Sequence, residues 1–323
     1  MKKRLALVIA LFVSAFTQAQ VTITYDTVIG TTTTLPVVNG WNARITRHID
    51  HWNRDSVQGI VFSPGAGEDG TDVLLLRKYG PHLEVEERGW DGAVTLGNGI
   101  HYPVIISLQQ PFASASNAQM VAHLNAILAK FKIRRTGIRG PGLPDLHLTG
   151  ISQGGFYSTR TIAYAESASD LSNYRLVNSM WIIMGVGTKF APLGAQPLAW
   201  PRMFGFWAKN YRGRLFYQYN TNDAAHNSDE YVKNMNDSMP GSAVRIITSF
   251  GGATVGCGHC RFNETYNMNA TWTIDHPEVD QVQWLNSANV QTTPATSLNM
   301  NWAQWLLRNG DTTLVSGGNI PPV

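Results

Sequence analysis

Residues 146–155 read Leu-His-Leu-Thr-Gly-Ile-Ser-Gln-Gly-Gly, an apolar run that stops at Gly150-Ile151-Ser152-Gln153-Gly154. This Gly-x-Ser-x-Gly punctuation constrains the chain more than any other stretch. A serine hydroxyl is a poor nucleophile unless a base sits beside it and the backbone holds it clear of its neighbours. A sharp strand-to-helix turn achieves the second condition. Such a turn crowds the main chain, so the residues two before and two after the serine must be small. Gly150 and Gly154 meet that need, and Gly155 adds slack. A glycine-rich turn with an incidental serine reads the same over five residues, so the partners elsewhere in the chain decide the matter.

A strand-to-helix turn needs a sheet around it. Strands are expected where β-branched and aromatic residues cluster before turn signals: Val21 to Tyr25, Ala43 to Ile49, Gly59 to Phe62, Val104 to Leu108, Leu146 to Thr149, Ser179 to Met184, Leu215 to Tyr219 and Val244 to Thr248. Helical spacing runs between them at Asp72 to Tyr79, Ala118 to Phe131, Gly155 to Glu166, Ser228 to Met235 and Asn301 to Arg308. Strands alternating with helices argue an α/β fold with a mostly parallel central sheet and helices on both faces. Trp302, Trp305 and Leu306 recur three and four apart on the last helix, the spacing of a packing stripe.

The N-terminus reads differently. Lys2, Lys3 and Arg4 precede an apolar stretch from Leu5 to Phe16, and Thr17-Gln18-Ala19 supplies a small-residue cleavage site. The apolar stretch is shorter than the ~20 residues that span a bilayer, so residues 1–19 are expected to be a secretory signal peptide. Residues 20–323 then form a single α/β domain, and the protein is secreted or periplasmic. Removing three of the 25 basic residues balances the 22 acidic ones. A neutral, low-charge surface does not suggest a nucleic-acid partner, whose phosphates demand basic clusters, and no later run is long and apolar enough for a membrane span.

A serine nucleophile needs an oxyanion cradle, and each partner should sit at the end of a different strand. Gly59 to Pro64 leads into Gly65-Ala66-Gly67-Glu68-Asp69-Gly70, a turn whose glycines let backbone N–H groups converge on a developing negative charge. The expected donors are the N–H of Ala66 and the N–H of Gln153. The same turn spells G-x-G-x-x-G, with Glu84 and Glu86 further on at a distance compatible with ribose binding. A dinucleotide site is disfavoured there, because Glu68 and Asp69 would stand where a pyrophosphate should sit.

The carboxylate expected next is Asp223, the first acid beyond the strand that ends at Tyr219, with Asp229 in reserve. Asp223 could equally cap the following helix. The histidine is expected after the following strand, where the loop from Gly251 to Cys260 holds His259 and no other histidine. His226 comes too soon, His276 stands in a later segment, and the rest precede the serine. The order Ser152, Asp223, His259 is that of an α/β-hydrolase and differs from that of trypsin-like and subtilisin-like enzymes.

On these segments, GIVFSPGAGEDG, LHLTGISQGGF, LFYQYNTND and VRIITSFGGATVGCGHCRFNETY, the chain resembles secreted bacterial α/β-hydrolases of the dienelactone-hydrolase and esterase type. That group includes predicted peptidases and polyester depolymerase-like esterases. The closing NWAQWLLRNG resembles their terminal helix, and the likeness runs from about Gly59 onward. It implies an α/β-hydrolase fold without a large cap domain and a serine esterase that needs no cofactor and no metal. Ser63 departs from the pattern, since many relatives carry histidine before the glycine turn. Cysteines flanking the histidine are the second departure.

Cys257-Gly258-His259-Cys260 contains both cysteines, and export permits a disulfide between Cys257 and Cys260. A bridge would stiffen the loop that carries His259. The tetrapeptide also looks like a disulfide-isomerase redox site, but it lies late in the chain rather than near the start of a thioredoxin-sized fold. His48, Asp50, His51 and Asp55 have ligand-type side chains at a spacing that does not aim them at one ion. Trp181, Trp200 and Trp207 are candidates to line a substrate cleft, against the plain alternative of core packing. The 29 residues from Gly185 to Gly213 are too few for a separate lid domain, which favours an open cleft suited to small-molecule or polymeric esters. A peptidase of the same fold, a non-catalytic binding protein and a disulfide oxidoreductase remain the competing classes.

Overall fold

The computed structural model describes residues 22–24, 41–47, 56–110, 117–135, 144–167, 176–183, 207, 213–219, 246–248, 262–269, 272–275 and 297–308. Eight strands build one sheet: β1 (Thr22–Thr24), β2 (Asn42–Arg47), β3 (Gly59–Ser63), β4 (Val104–Gln109), β5 (Leu146–Ile151), β6 (Ser179–Ile183), β7 (Arg214–Tyr219) and β8 (Ile246–Thr248). Their order across the sheet is β1-β2-β4-β3-β5-β6-β7-β8. Strand β2 runs antiparallel to both β1 and β4, while β4, β3, β5, β6, β7 and β8 are mutually parallel. All eight strands expected from the sequence are present, with ends shifted by one or two residues.

The parallel strands are solid with apolar side chains because both faces are covered. Every residue of β3, β4, β5 and β6 is buried, as continuous rather than alternating patterning requires. Alternation decides only which face each residue serves. Val61, Ile106, Leu148, Ile182 and Leu215 pack on one side with Met120, Leu124 and Ile127 of α2 (Asn117–Lys130) and Tyr157 of α3 (Ser152–Ser167). Ile60, Phe62, Ile151, Trp181 and Phe216 pack on the other with Phe262, Tyr266, Trp302, Trp305 and Leu306. Burying one such side chain is worth roughly 1.5–3 kcal/mol.

The helices show where local pattern is overridden. The helix expected over residues 72–79 is a five-residue 3-10 turn, Val73–Arg77, followed by a separate α1 (Pro81–Glu86). Gly80 sits at φ 81° between them, and Pro81 fills the first helical position, where its missing N–H is harmless. Helix α4 (Phe262–Tyr266) and the antiparallel pair Trp272–Asp275 with Ser297–Met300 were not expected. Neither was the hairpin Val94–Leu96 with Gly99–His101. The expected helix over residues 228–235 lies outside the described residues.

The final helix, α5 (Trp302–Leu307), is held at both ends. The Asn301 side chain accepts from the Gln304 N–H at 2.9 Å, and the Gln304 side chain accepts from the Asn301 N–H at 3.0 Å, a complete capping box. At the other end Arg214 of β7 donates to the carbonyls of Trp305 and Leu306 at 3.1 and 3.0 Å. A cation there answers the partial negative charge of the helix C-terminus.

The sheet register brings the carboxyl ends of the central strands to one edge. Ser63 pairs with Gly150, Ile151 with Ile183, Ile183 with Gln218, and Tyr219 with Thr248. The chain leaves β3 for β4 on one side and reaches β5 on the other, so the winding reverses between β3 and β5. In open parallel sheets, ligands bind outside the carboxyl ends at such a reversal.

Candidate active site

A sheet of this order, with its antiparallel strands at one edge and a strand-to-helix turn at the carboxyl end of a central strand, is the α/β-hydrolase fold. Ser152 occupies that turn. Strand β5 ends at Ile151 and α3 begins at the next residue, with no linker between them. Ser152 holds φ 51°, a left-handed conformation in which an L side chain is strained.

The flanking glycines have separate jobs. A β-carbon on Gly150 would stand 2.8 Å from the carbonyl carbon and oxygen of Gly154 and 2.9 Å from the nitrogen of Gly155. One on Gly154 would fall 2.0 Å from the Ser63 carbonyl oxygen and 2.2 Å from that of Pro64. Gly150 thus lets the helix fold back on the strand. Gly154 lets the helix press against the turn after β3.

That contact brings the expected oxyanion turn to Ser152. The position a Gly65 β-carbon would take lies 3.6 Å from the Ser152 β-carbon. Ala66 opens a short 3-10 helix, Ala66–Glu68, whose start carries no side-chain cap. The first N–H groups of a helix have no partner within it, and Ala66 is solvent-exposed. Gln153 stands at the start of α3, and its side chain donates to the Tyr157 hydroxyl at 2.7 Å. Its side chain is therefore committed along the helix, leaving the backbone N–H as its contribution at the helix terminus. Ser152, Gln153 and Ala66 are brought together, with Ser152 and Gln153 half-buried.

The turn is fixed from the sheet. Gln109, the last residue of β4, donates from its side-chain amide to the carbonyls of Glu68 and Asp72, both at 2.8 Å. Asn42 of β2 donates to the Gln109 side-chain oxygen at 3.2 Å and the Gly70 carbonyl at 3.4 Å. Ser63 accepts from the Ser158 hydroxyl of α3 at 3.2 Å.

Two carboxyl groups beside the turn were not assigned a role from sequence. Glu68 is buried, and its Oε2 lies 3.1 Å from the position of a Gly65 β-carbon, the point that also neighbours Ser152. Burial raises its pKa, opposed by Lys78 at 3.7 Å. Asp69 is raised to about 6 by burial, opposed by a hydrogen bond from Gln110. Adjacent acids after a glycine turn were visible in the sequence, but only the packing of this turn against β4 removes them from water.

Among the described residues, Ser107 and Ser179 lie against histidines. His82 Nδ1 lies 2.6 Å from Ser107 Oγ, and His147 Nδ1 lies 2.7 Å from Ser179 Oγ. All four residues are fully buried, and both serines sit inside strands. Burial lowers the His82 pKa to about 3, with Arg44 adding to the shift. A histidine held neutral in this way, sealed from solvent, serves packing.

Of the two readings open for Trp181 and Trp207, cleft lining and core packing, their burial fits core packing. Trp181 is fully buried, stacked on Phe216 at 3.8 Å between centroids and edge-on to Trp305 at 5.6 Å. Trp207 is fully buried against Gly213, where a β-carbon would meet its ring at 2.0 Å. Strand alternation aims Trp181 into the sheet face covered by α5, which a sequence window cannot reveal. Asp223, His259, Cys257, Cys260 and Trp200 lie outside the described residues, as do His48, Asp50, His51 and Asp55. Among the described residues no group of three His, Cys, Asp or Glu is placed to hold a metal ion, and no helix is long and apolar enough to cross a membrane.

Neither a family model nor a curated protein matches the sequence. Among solved structures, the chain is similar to Est1E from Butyrivibrio proteoclasticus with ferulic acid bound, at 11% identity over 65% of this chain and 85% of that one, with a TM-score of 0.36. It is similar to a fungal esterase from Rhizomucor miehei at 15% identity over 77% of this chain and 78% of that one, TM-score 0.45. Esterase 2 of Thermogutta terrifontis, phosphorylated by paraoxon, matches at 13% identity over 72% and 83%, TM-score 0.43.

Proposed function

We propose that the chain is a secreted serine hydrolase that cleaves carboxylic esters through an acyl-enzyme on Ser152. The observation that carries the reading is the strained Ser152 pressed against a turn with uncapped N–H groups. Strain of this kind persists only where the surroundings enforce it, and here two glycines and the β3 turn do so.

The remaining partners are Asp223 and His259. Asp223 follows the end of β7 by four residues, and β7 lies two strands from β5 in the sheet. His259 precedes Phe262 by three residues, a distance the chain spans in about 10 Å. The Phe262 ring packs edge-on to Tyr79 at 5.6 Å, and neighbouring Lys78 pairs with Glu68 beside the elbow.

In the proposed reaction His259 takes the Ser152 proton as the oxygen attacks the ester carbonyl. Asp223 accepts a hydrogen bond from the ring and stabilises the imidazolium. The N–H groups of Ala66 and Gln153 hold the oxyanion, each such donor being worth about 3–4 kcal/mol of barrier. Collapse expels the alcohol with the proton from His259, and water, deprotonated by the same ring, frees the acid. The leader delivers this activity outside the cytoplasm, toward small-molecule or polymeric esters.

The test is fluorophosphonate labelling with peptide mapping, followed by turnover of acetyl, feruloyl and longer-chain esters. Label is expected on Ser152, and Ser152→Ala is expected to lower turnover by on the order of 10⁶-fold with the fold intact. Ester turnover that survives in Ser152→Ala rejects the reading.

A further inference from the structure

The turn beside Ser152 is capped from one side only. In a capping box, the residue before a helix covers the N–H three residues on with its side chain, and a glutamate at that third position reaches back to cover the first N–H. Gly65-Ala66-Gly67-Glu68 keeps the second half and lacks the first, because Gly65 has no side chain to offer. The Glu68 N–H turns to the Gly65 carbonyl at 3.2 Å instead. The β-carbon of a capping side chain at Gly65 would already touch Ser152, 3.6 Å from its β-carbon.

Glu68 is buried, and its two oxygens face different groups. Oε1 lies 3.7 Å from Lys78 Nζ, and Oε2 lies 3.1 Å from the position of a Gly65 β-carbon. Burial raises the Glu68 pKa, opposed first by the charge of Lys78 and then by a backbone hydrogen bond from Gly65. The two opposing groups differ in what they hold. Lys78 stands on a half-exposed, flexible side chain, so it attracts the charge without fixing where the carboxylate lies. The Gly65 N–H belongs to the turn itself. Gln109 pins the other end by donating to the Glu68 carbonyl at 2.8 Å. Glu68 therefore links the end of β4 to the residue that abuts Ser152.

We propose that the Glu68 carboxylate, by reaching back to the Gly65 main chain, fixes the Gly65–Ala66 turn against Ser152, making Glu68 a positioning residue for acyl transfer. The inference rests on the reading of Ser152 as the nucleophile and of this turn as its oxyanion cradle. A tie of this kind leaves the space before Ser152 open while holding the turn from behind. A displacement of about 1 Å between such groups can cost on the order of a hundredfold in rate.

Glu68→Asp and Glu68→Gln separate reach from charge. Aspartate keeps the charge and falls one methylene short of Gly65, whereas glutamine keeps the length and an acceptor oxygen and loses the charge. With para-nitrophenyl acetate as substrate, Glu68→Asp is expected to lower kcat by at least about tenfold with KM within about twofold, and Glu68→Gln to restore kcat to within about threefold of wild type. The affinity for a trifluoromethyl ketone, which forms a tetrahedral oxyanion on the serine, should fall in Glu68→Asp by the same factor as kcat/KM. A folded Glu68→Asp enzyme with wild-type kcat overturns the proposal. So does a Glu68→Gln enzyme as slow as Glu68→Asp, which would assign the effect to the charge facing Lys78. Should Glu68→Asp fail to fold, Glu68→Ala takes its place under the same outcomes. An inactive Ser152→Ala beside a Glu68→Asp of wild-type kcat sinks the positioning role alone, whereas an active Ser152→Ala sinks the reaction and the positioning role together.

Discussion

At Ser152 the backbone stands at φ 51°, a conformation that costs about 1–3 kcal/mol for a residue with a β-carbon. What enforces it is the absence of two methyl groups, and the sharper of the two demands is at Gly154. Gly154→Ala would drive a β-carbon to 2.0 Å from the Ser63 carbonyl oxygen, and neither side of that contact is a flexible side chain. Destabilisation of at least about 3 kcal/mol is expected, read as the midpoint of denaturant unfolding. Gly67→Ala is the control, since nothing lies within 4 Å of its β-carbon position, and it should shift stability by no more than about 0.5 kcal/mol. The glycine pattern was legible in the sequence because its cause is local: the same five residues make the turn and suffer its crowding. The burial of Glu68 was not legible, because it depends on Gln109 and on the strand that delivers it. Which of its two readings Trp181 follows was not legible for a related reason. Its strand could be read, but which face of that strand α5 covers is a property of residues more than a hundred positions away.

Among the elements, strands were easier to read than helices. The eight sheet strands were read from runs of β-branched and aromatic residues bounded by turn formers, even for β1 and β8, where three residues pair. Helices α1 and α4 are six and five residues long, too short for a 3.6-residue period to repeat twice. Trp272–Asp275 pairs with Ser297–Met300 across an intervening segment, a non-local register that no window reveals. Helix α5 was read correctly, and its cap explains why. Asn301 and Gln304 exchange both capping bonds, so the start of the helix is encoded within four residues. Asn301→Ala should cost about 1 kcal/mol, seen as a shift in urea midpoint without change in slope. An unchanged midpoint would mean the helix is held by Arg214 and its buried tryptophans alone.

Across the whole molecule, the buried histidines set the response to acid. The His82 pKa falls to about 3 and that of His123 to about 4, both mainly through burial. Each folded value lies below the unfolded one of about 6.5, so the stability they carry is full above pH 6.5 and lost as pH falls. At pH 4.5 the fully buried His82 alone should account for about 2–3 kcal/mol of that loss. Asp69 works in the opposite direction: its folded pKa is about 6 against 3.8, so its contribution is greatest in acid and fades as pH rises. It is only half-buried, and the histidines should dominate. The melting temperature of Ser152→Ala is therefore expected to drop between pH 6.5 and 4.5, and His82→Gln should flatten the curve. A profile without that drop would mean His82 takes up protons while folded.

The meeting of helix α3 with the β3 turn has a further consequence for how this fold can diversify. Gly154 touches Ser63 and Pro64 through carbonyl oxygens, and a contact between main chains has no side chain to exchange. Mutation can break this joint but cannot retune it, so tolerated variation must come from segments beyond it. A library that spares residues 63–65 and 150–155 and randomises the strand-end loops would search where variation is still permitted.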